Sequence, residues 1–304
     1  MSVNTSETMP GDARISRNRD DTVVLNEVVP RKHPGRWIGV ALLTVFVLQF
    51  VHSAVVNPNF HWNVFAKYLF APQVLSGVGW TLILTIASMA LAIVCAITLV
   101  LMRESDNPIY RGLAWVWIWF FRGTPLYTQL LFWGLVAVLF PRISLSIPFG
   151  PEIFGVPTQW VITAGVAALL GLGLNESAYL AEIFRAGFKA IDRGQTEAAQ
   201  AIGMSRTKIW WRILMPQAMR TIIPPTGNET IGMLKGTSLV LAVPFTLDLM
   251  FATNAIANRL YLPVPMLMVA AFWYLVVTSI LMVGQFYLER HFGKGQDYVE
   301  TRHV

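Results

Sequence analysis

Residues 79–102 read GWTLILTIASMALAIVCAITLVLM, twenty-four positions without one acidic, basic or histidine side chain. As a helix this run is about 36 Å long, against a bilayer hydrocarbon core of about 30 Å. The rest of the chain agrees with a membrane reading. Of 304 residues, 55% are hydrophobic and 13% charged, with eleven tryptophans, where a soluble domain carries roughly 25% charge. The mean hydropathy is +0.53. Too little charge is present to cover a water-soluble surface of this size, which excludes a soluble enzyme. Cys95 is the single cysteine and lies inside the same apolar run, so there is no disulfide framework and no thiol metal cluster. The five histidines, at 33, 52, 61, 291 and 303, show no ligand spacing.

Working outward, residues 1–35 are polar and lack apolar periodicity, which reads as a flexible tail. A signal peptide would place its apolar core nearer the start. Spans are expected at about 37–56, 79–102, 124–140, 159–183, 227–250 and 265–287, the fifth interrupted by Lys235 and broken at Pro244. The third region needs a choice. One long span from Ile109 to Phe140 would put Arg122 in hydrocarbon, at a cost of about 2.5–3.5 kcal/mol. The alternative is an interfacial helix over 109–121 followed by a short span. Arg111 and Arg122 share a helical face, and Trp115, Trp117 and Trp119 suit an aromatic belt, so the interfacial helix is favoured. The loop after it holds Pro141, Pro148, Gly150, Pro151 and Pro157.

Six spans put both ends on one side. Nineteen of the 23 Lys and Arg then share that side, only Lys67, Arg142 and Arg259 lie opposite, and Lys235 sits within a span. The positive-inside rule makes the crowded side cytoplasmic. This distribution accounts for the net charge of +6 without a nucleic-acid partner. The expected organisation is a cytoplasmic tail over 1–35, a transmembrane domain over 36–290 and a cytoplasmic tail over 291–304.

The cytoplasmic stretch 184–222 carries seven of those basic residues and reads as short helices with punctuation. Asp192-Arg193-Gly194 suggests a turn, and Thr196 a cap for a helix beginning at Glu197. Gly203 would stop it and Ser205 cap a second helix, which Pro216 limits. Periodicity alone leaves a surface-lying amphipathic connector equally open.

The spacing in this loop resembles a family signature. Glu197-Ala198-Ala199, Gly203, Ile213 and Pro216 fall in the E-A-A, three residues, G, nine residues, I-x-L-P register shared by permease subunits of binding-protein-dependent ABC importers. Met215 replaces the usual Leu. Phe121-Arg122-Gly123-Thr124-Pro125-Leu126, the run Ser177 to Gly187, and Met233-Leu234-Lys235 with Thr237-Ser238-Leu239 are similar to the polar amino acid branch, the histidine, glutamine and arginine importers. Gly236 departs from that branch, where an acid often stands, and so removes a neighbour for Lys235.

The resemblance covers about 76–290. It implies an all-α, polytopic helical bundle of about six spans, one N-terminal span added to a five-span type I importer core, in the inner membrane of a prokaryote. It also implies partners: two ATPase subunits, a second permease subunit (identical or not), an external solute-binding protein and a polar amino acid substrate. ATP and Mg would be bound by the ATPase, since this chain has no G-x-x-x-x-G-K-[ST] loop and no cofactor of its own. Glu197 would hold or dock the cytoplasmic knob, Gly203 permit its bend and Pro216 fix where it rejoins the span. Arg122 and Pro125 mark a structural or interfacial feature.

Ionisable groups within spans are site candidates in their own right. Glu176, Glu182 and Lys235 are the main ones, with Tyr179 one turn from Glu176, and Thr237 joins them from the branch-like segment. The competing structural expectation pairs Lys235 with one glutamate, and Glu182 with Arg185. Asp248 is expected to be solvated at the external end. A self-contained secondary transporter should show an internal repeat, which the halves lack. An intramembrane enzyme should show H-E-x-x-H or G-x-S-x-G, and neither occurs.

Overall fold

Prolines set the starts of the long helices. In the computed structural model, which describes residues 34–146 and 152–292, Pro34, Pro72, Pro108 and Pro263 each stand in the first position of a helix, where the missing N–H has no intrahelical partner in any case. The helices are α1 (Pro34–Val56), α2 (Trp62–Leu69), α3 (Pro72–Arg103), α4 (Pro108–Gly123) and α5 (Leu126–Leu139). A two-stranded antiparallel hairpin follows, β1 (Arg142–Ser146) and β2 (Glu152–Pro157). Then come α6 (Thr158–Val161), α7 (Ala164–Lys189), α8 (Arg193–Ala201), α9 (Arg206–Ile209), α10 (Met215–Gly236), α11 (Leu249–Leu260) and α12 (Pro263–Phe292). The expected tails fall mostly outside the described residues, as do Pro148, Gly150 and Pro151 of the loop.

The chain divides at Phe60/His61. The first unit contains α1, with large apolar side chains such as Trp37, Leu42, Phe46 and Phe50 exposed along it. The second is a helical bundle around α7, which packs against α3, α4, α5 and α10. The sequence makes α7 central by its small residues. Ala168, Gly171, Gly173, Ser177, Ala178 and Ala181 line it, and a Cβ at Gly171 would lie 2.6 Å from Leu130. Close backbone approach of this kind is how helices associate where apolar burial supplies no net drive. The outer surface shows Ile86, Val94, Leu101, Leu275 and Ile280 to the surroundings, as a lipid-facing wall requires.

Four of the described helices, within α1, α3, α7 and α12, are long and apolar enough to cross a bilayer. The third crossing differs from expectation. An interfacial helix over 109–121 should lie flat, yet α4 runs back alongside the last turns of α3, Leu113 sharing a groove with Met102, and Phe121 with Cys95. It also packs on α7, burying Ala114, Ile118 and Phe121. At 14 residues, α5 is about 21 Å long and too short to cross alone. Helices α4 and α5 therefore make one crossing with a break in the middle, and the count of six stands.

The fifth crossing also shifts. Expected at 227–250, it begins at α10 and passes through a 3-10 segment, Thr237–Ala242, before the chain breaks at Pro244. The helix α7 runs to Lys189, six residues beyond the expected end of its span. The hairpin adds strand pairing inside the Pro/Gly loop, a minor departure from a wholly helical chain.

Candidate functional site

The break between α4 and α5 lies at Arg122-Gly123-Thr124-Pro125. Pro125 has no N–H to continue the ladder, so nearby carbonyls lose their partners. Two buried amides replace them. Gln129 Nε2 donates to the carbonyls of Phe121 and Thr124 at 3.0 and 3.1 Å and to Thr124 Oγ1 at 2.7 Å. Asn175 Nδ2 on α7 donates to the same Phe121 carbonyl at 3.0 Å and to Gln129 Oε1 at 3.2 Å. Irregular backbone at membrane depth persists only when satisfied in this way or facing a cavity. Substituting Gln129→Leu is expected to cost about 1–3 kcal/mol through the carbonyls left unpaired. A lower melting temperature in detergent, with Gln129→Glu no better than leucine because an ionised carboxylate offers no donor, is the check. Arg122 is exposed, and its guanidinium lies 5.3 Å from the Tyr179 ring centroid, a cation–π contact between the break and α7.

One turn before Tyr179 on α7, Glu176 is 8% exposed and its Oε1 has no hydrogen-bond partner. Close to it on α10 stands Glu229, a second carboxyl. Glu229 is not among the sequence candidates, although it falls inside the expected fifth span. An acid at membrane depth was the signal that could have found it.

The other candidates separate. Glu182 pairs with Arg185 three residues on, as the structural expectation had it. Lys235 is exposed and makes no ion pair with either glutamate among the described residues, so the expected cross-link of α7 and α10 is absent. Thr237 has no exposed surface; its hydroxyl donates to the Leu234 carbonyl at 2.6 Å and lies 3.3 Å from the Tyr274 hydroxyl. These contacts place it between the 3-10 segment and α12.

Asp248 is a further correction. Far from solvated, it is 0% exposed. Its Oδ2 accepts from the amides of Met250 and Phe251 at 2.8 and 3.3 Å, capping α11. The Leu249 amide donates to Thr81 Oγ1 on α3 at 3.1 Å, so the cap is tied to the second crossing. Chain reversal after Pro244 buries the carboxylate, which no local pattern announces. Replacing Asp248 with alanine is expected to cost about 0.5–2 kcal/mol, with asparagine close to wild type because it still caps; equal melting temperatures for both would contradict the cap.

The stretch 184–222 folds as a helix–turn–helix knob. The cap of α8 is Asp192, not Thr196: its Oδ1 accepts from the Gly194 amide at 2.6 Å, and the helix starts at Arg193. An acid at this position also suits the positive helix end. At the other end Gly203 has φ +79°. The Met204 amide donates to the Ala199 carbonyl at 3.0 Å and the Gly203 amide to that of Gln200 at 2.9 Å. This paired closure is a Schellman motif, which requires the left-handed residue Gly203 supplies. Ser205 precedes α9 without a side-chain cap bond.

Pro216 does not end the second helix as expected. A π turn over Trp210–Leu214 carries α9 into α10, the Met215 amide reaching the Trp210 carbonyl. The wider turn absorbs the proline, whose ring and missing N–H would otherwise disrupt the preceding α turn. Ala199 and Ile209 are buried inside the knob, and Trp210 stacks on Phe188 of α7 at 6.2 Å. Glu197, Ala198, Ile202, Gly203 and Pro216 are exposed, with Ile202 at 78%, while Ile213 is half-buried. The knob thus presents an apolar tip beside an acid and is braced on α7 and α10.

Residues 88–294 match the family described as binding-protein-dependent transport system inner membrane component. The chain belongs to this family. It is 47% identical over 270 residues to the arginine transport system permease protein ArgU of Corynebacterium glutamicum, covering 88% of this chain and 84% of that protein. It is 33% identical over 208 residues to the histidine/lysine/arginine/ornithine permease protein HisM of Salmonella typhimurium, covering 68% and 84% of the two chains. A solved amino acid ABC transporter with histidines aligns at TM-score 0.62 and 31% identity over 74% of this chain and 97% of that one. The protein is a permease subunit of an amino acid ABC importer, with a membrane-spanning type I importer fold and a transport role.

Proposed function

We propose that this permease carries a cationic amino acid of the arginine type, with the Glu176/Glu229 pair as the acidic contact on its path. The observation that carries the reading is the carboxyl pair itself: one member is buried with an unpartnered oxygen, a costly arrangement in a membrane unless a cation or a shared proton answers it. The arginine relative, matched along most of the chain, supports the same class. Exposed Lys235 and Arg122, with Tyr179 stacked under the latter, supply the positive groups that a substrate carboxylate needs. Glu182, held by Arg185, serves structure instead.

Coupling in this reading runs through Glu197, Ala198, Ala199, Gly203, Ile213 and Pro216. Two ATPase subunits, which bind the ATP and Mg, receive the knobs of two permease subunits. Their closure then rocks the helices between inward- and outward-open states, and an external solute-binding protein delivers the substrate. Both termini lie in the cytoplasm, because the basic residues crowd that side.

The test is the reconstituted complex with its binding protein, presented with arginine, lysine, histidine, glutamine and glutamate in turn. Stimulated ATP hydrolysis and uptake with arginine or lysine, and not with glutamate, are the expected results. Preference for glutamate would overturn the assignment.

A further inference from the structure

Helix α10 joins the coupling knob to Glu229 through a weak segment. Pro224 and Pro225 lie inside it and lack N–H groups, so the carbonyls of Arg220 and Thr221 lose their usual donors. The Thr226 and Thr230 hydroxyls donate back to the carbonyls of Ile222 and Thr226 at 2.7 and 2.9 Å, a pattern that loosens and bends helices. Gly227 follows directly. Between Pro216, at the knob, and Glu229 this is where α10 yields most easily.

One side chain from a different helix holds that segment. Gln285 on α12 is 9% exposed, and its Nε2 donates to the Pro224 carbonyl at 2.7 Å and to Glu289 Oε1 at 2.8 Å. Its Oε1 is buried without a partner and lies against Gly227, where a Cβ would collide with the amide. The amide is therefore seated in a notch that exists because residue 227 has no side chain. A buried amide with an unmet acceptor is not the cheapest way to pack two helices. It is a contact that can be exchanged.

We propose that Gln285 is a positioning residue that latches the double-proline turn of α10, so that motion entering at the knob reaches Glu229 instead of being absorbed in the turn. The inference rests on the coupling role given above to the knob. With the latch made, α10 moves against α12 as one lever. With it broken, the knob end can follow the ATPase while the Glu229 end stays behind.

Two independent changes break the same contact. Gln285→Met keeps the volume and removes the donor; Gly227→Ala leaves Gln285 in place and pushes its amide off the Pro224 carbonyl. Each is expected to lower arginine moved per ATP hydrolysed about two- to tenfold, the range a single net hydrogen bond spans, in proteoliposomes containing the full complex and arginine-loaded binding protein. The double variant is expected to be no worse than either single one, because one contact is lost once. Phe286→Ala, on the exposed side of α12, should leave the ratio unchanged.

Copurification of the ATPase with each variant establishes assembly. An unchanged ratio in assembled single variants, losses that multiply in the double variant, or failure of all of them to assemble would each overturn the latch. A Gly203→Val complex run beside them separates the two ideas. If it uncouples while the Gln285 variants do not, only the latch fails; if it too keeps the wild-type ratio, the coupling role of the knob fails.

Discussion

A valine at position 203 is expected to reduce amino acid uptake at least tenfold while the assembled complex continues to hydrolyse ATP. Gly203 holds φ at +79° and closes the Schellman turn between α8 and α9. A residue with a Cβ pays about 1–2 kcal/mol to stay there, and a β-branched one more. The turn escapes that strain by reopening, which displaces Glu197, Ala198 and Ile202 relative to α9. Space is not the obstacle within this chain, since a Cβ at Gly203 meets nothing within 4 Å. The same openness aims the added bulk outward, at the surface proposed above to dock on the ATPase. Asparagine tolerates the left-handed region and should retain most coupling, with alanine between. Uptake per ATP in proteoliposomes, beside copurified ATPase, measures the effect. An assembled valine variant with wild-type coupling would remove the knob from the mechanism.

Neutralising the carboxyl pair should act at the other end of the path. Glu229→Gln and Glu176→Gln preserve shape while removing charge, so the fold should persist. Arginine uptake is expected to fall by about ten- to a hundredfold, as hydrogen bonds to charged groups contribute about 1.5–3 kcal/mol. Because the two acids face one another, the losses should not multiply in the double variant. Basal ATP hydrolysis should change little, since neither group touches the knob. The decisive comparison is with a neutral amino acid delivered in parallel: if its transport fell as far as that of arginine, the pair would be structural instead of a cation contact. Glu182→Gln, which releases Arg185 on the same helix, provides the control for a generic loss of charge.

Much of the bundle was legible in the chain because its signals are local. Uncharged runs mark α1, α3 and α12, and the E-A-A register places the knob. Positions that depend on packing were misplaced. Trp115, Trp117 and Trp119 suggested an interface, yet Trp117 turns inward, its Nε1 donating to Ser177 Oγ on α7 at 3.1 Å. The cost of Arg122 at membrane depth argued against one crossing there, and it was not apparent that a broken helix relieves this cost by exposing the arginine at the break, beside Tyr179. Asp248 looked like a solvated end group until α11 folded back over it. Lys235 and the glutamates could be matched by charge, although no contact joins them.

By itself the sequence determined that the chain lives in a membrane, where its spans fall, where its basic residues gather and where the E-A-A loop stands. Each of these follows from length, charge or spacing along one segment, properties that a helix carries with it wherever it packs. Only the tertiary structure decided which buried polar groups answer one another. Gln129 and Asn175 meet at the Phe121 carbonyl, Glu176 stands near Glu229, and Gln285 meets Pro224, with the bonds of Asn175 and of Gln285 to Pro224 reaching across 46 to 61 residues of sequence. In hydrocarbon an unmet polar group is costly, so such groups must find partners. Which partner each finds depends on helix rotation and depth, set jointly by every neighbour in the bundle.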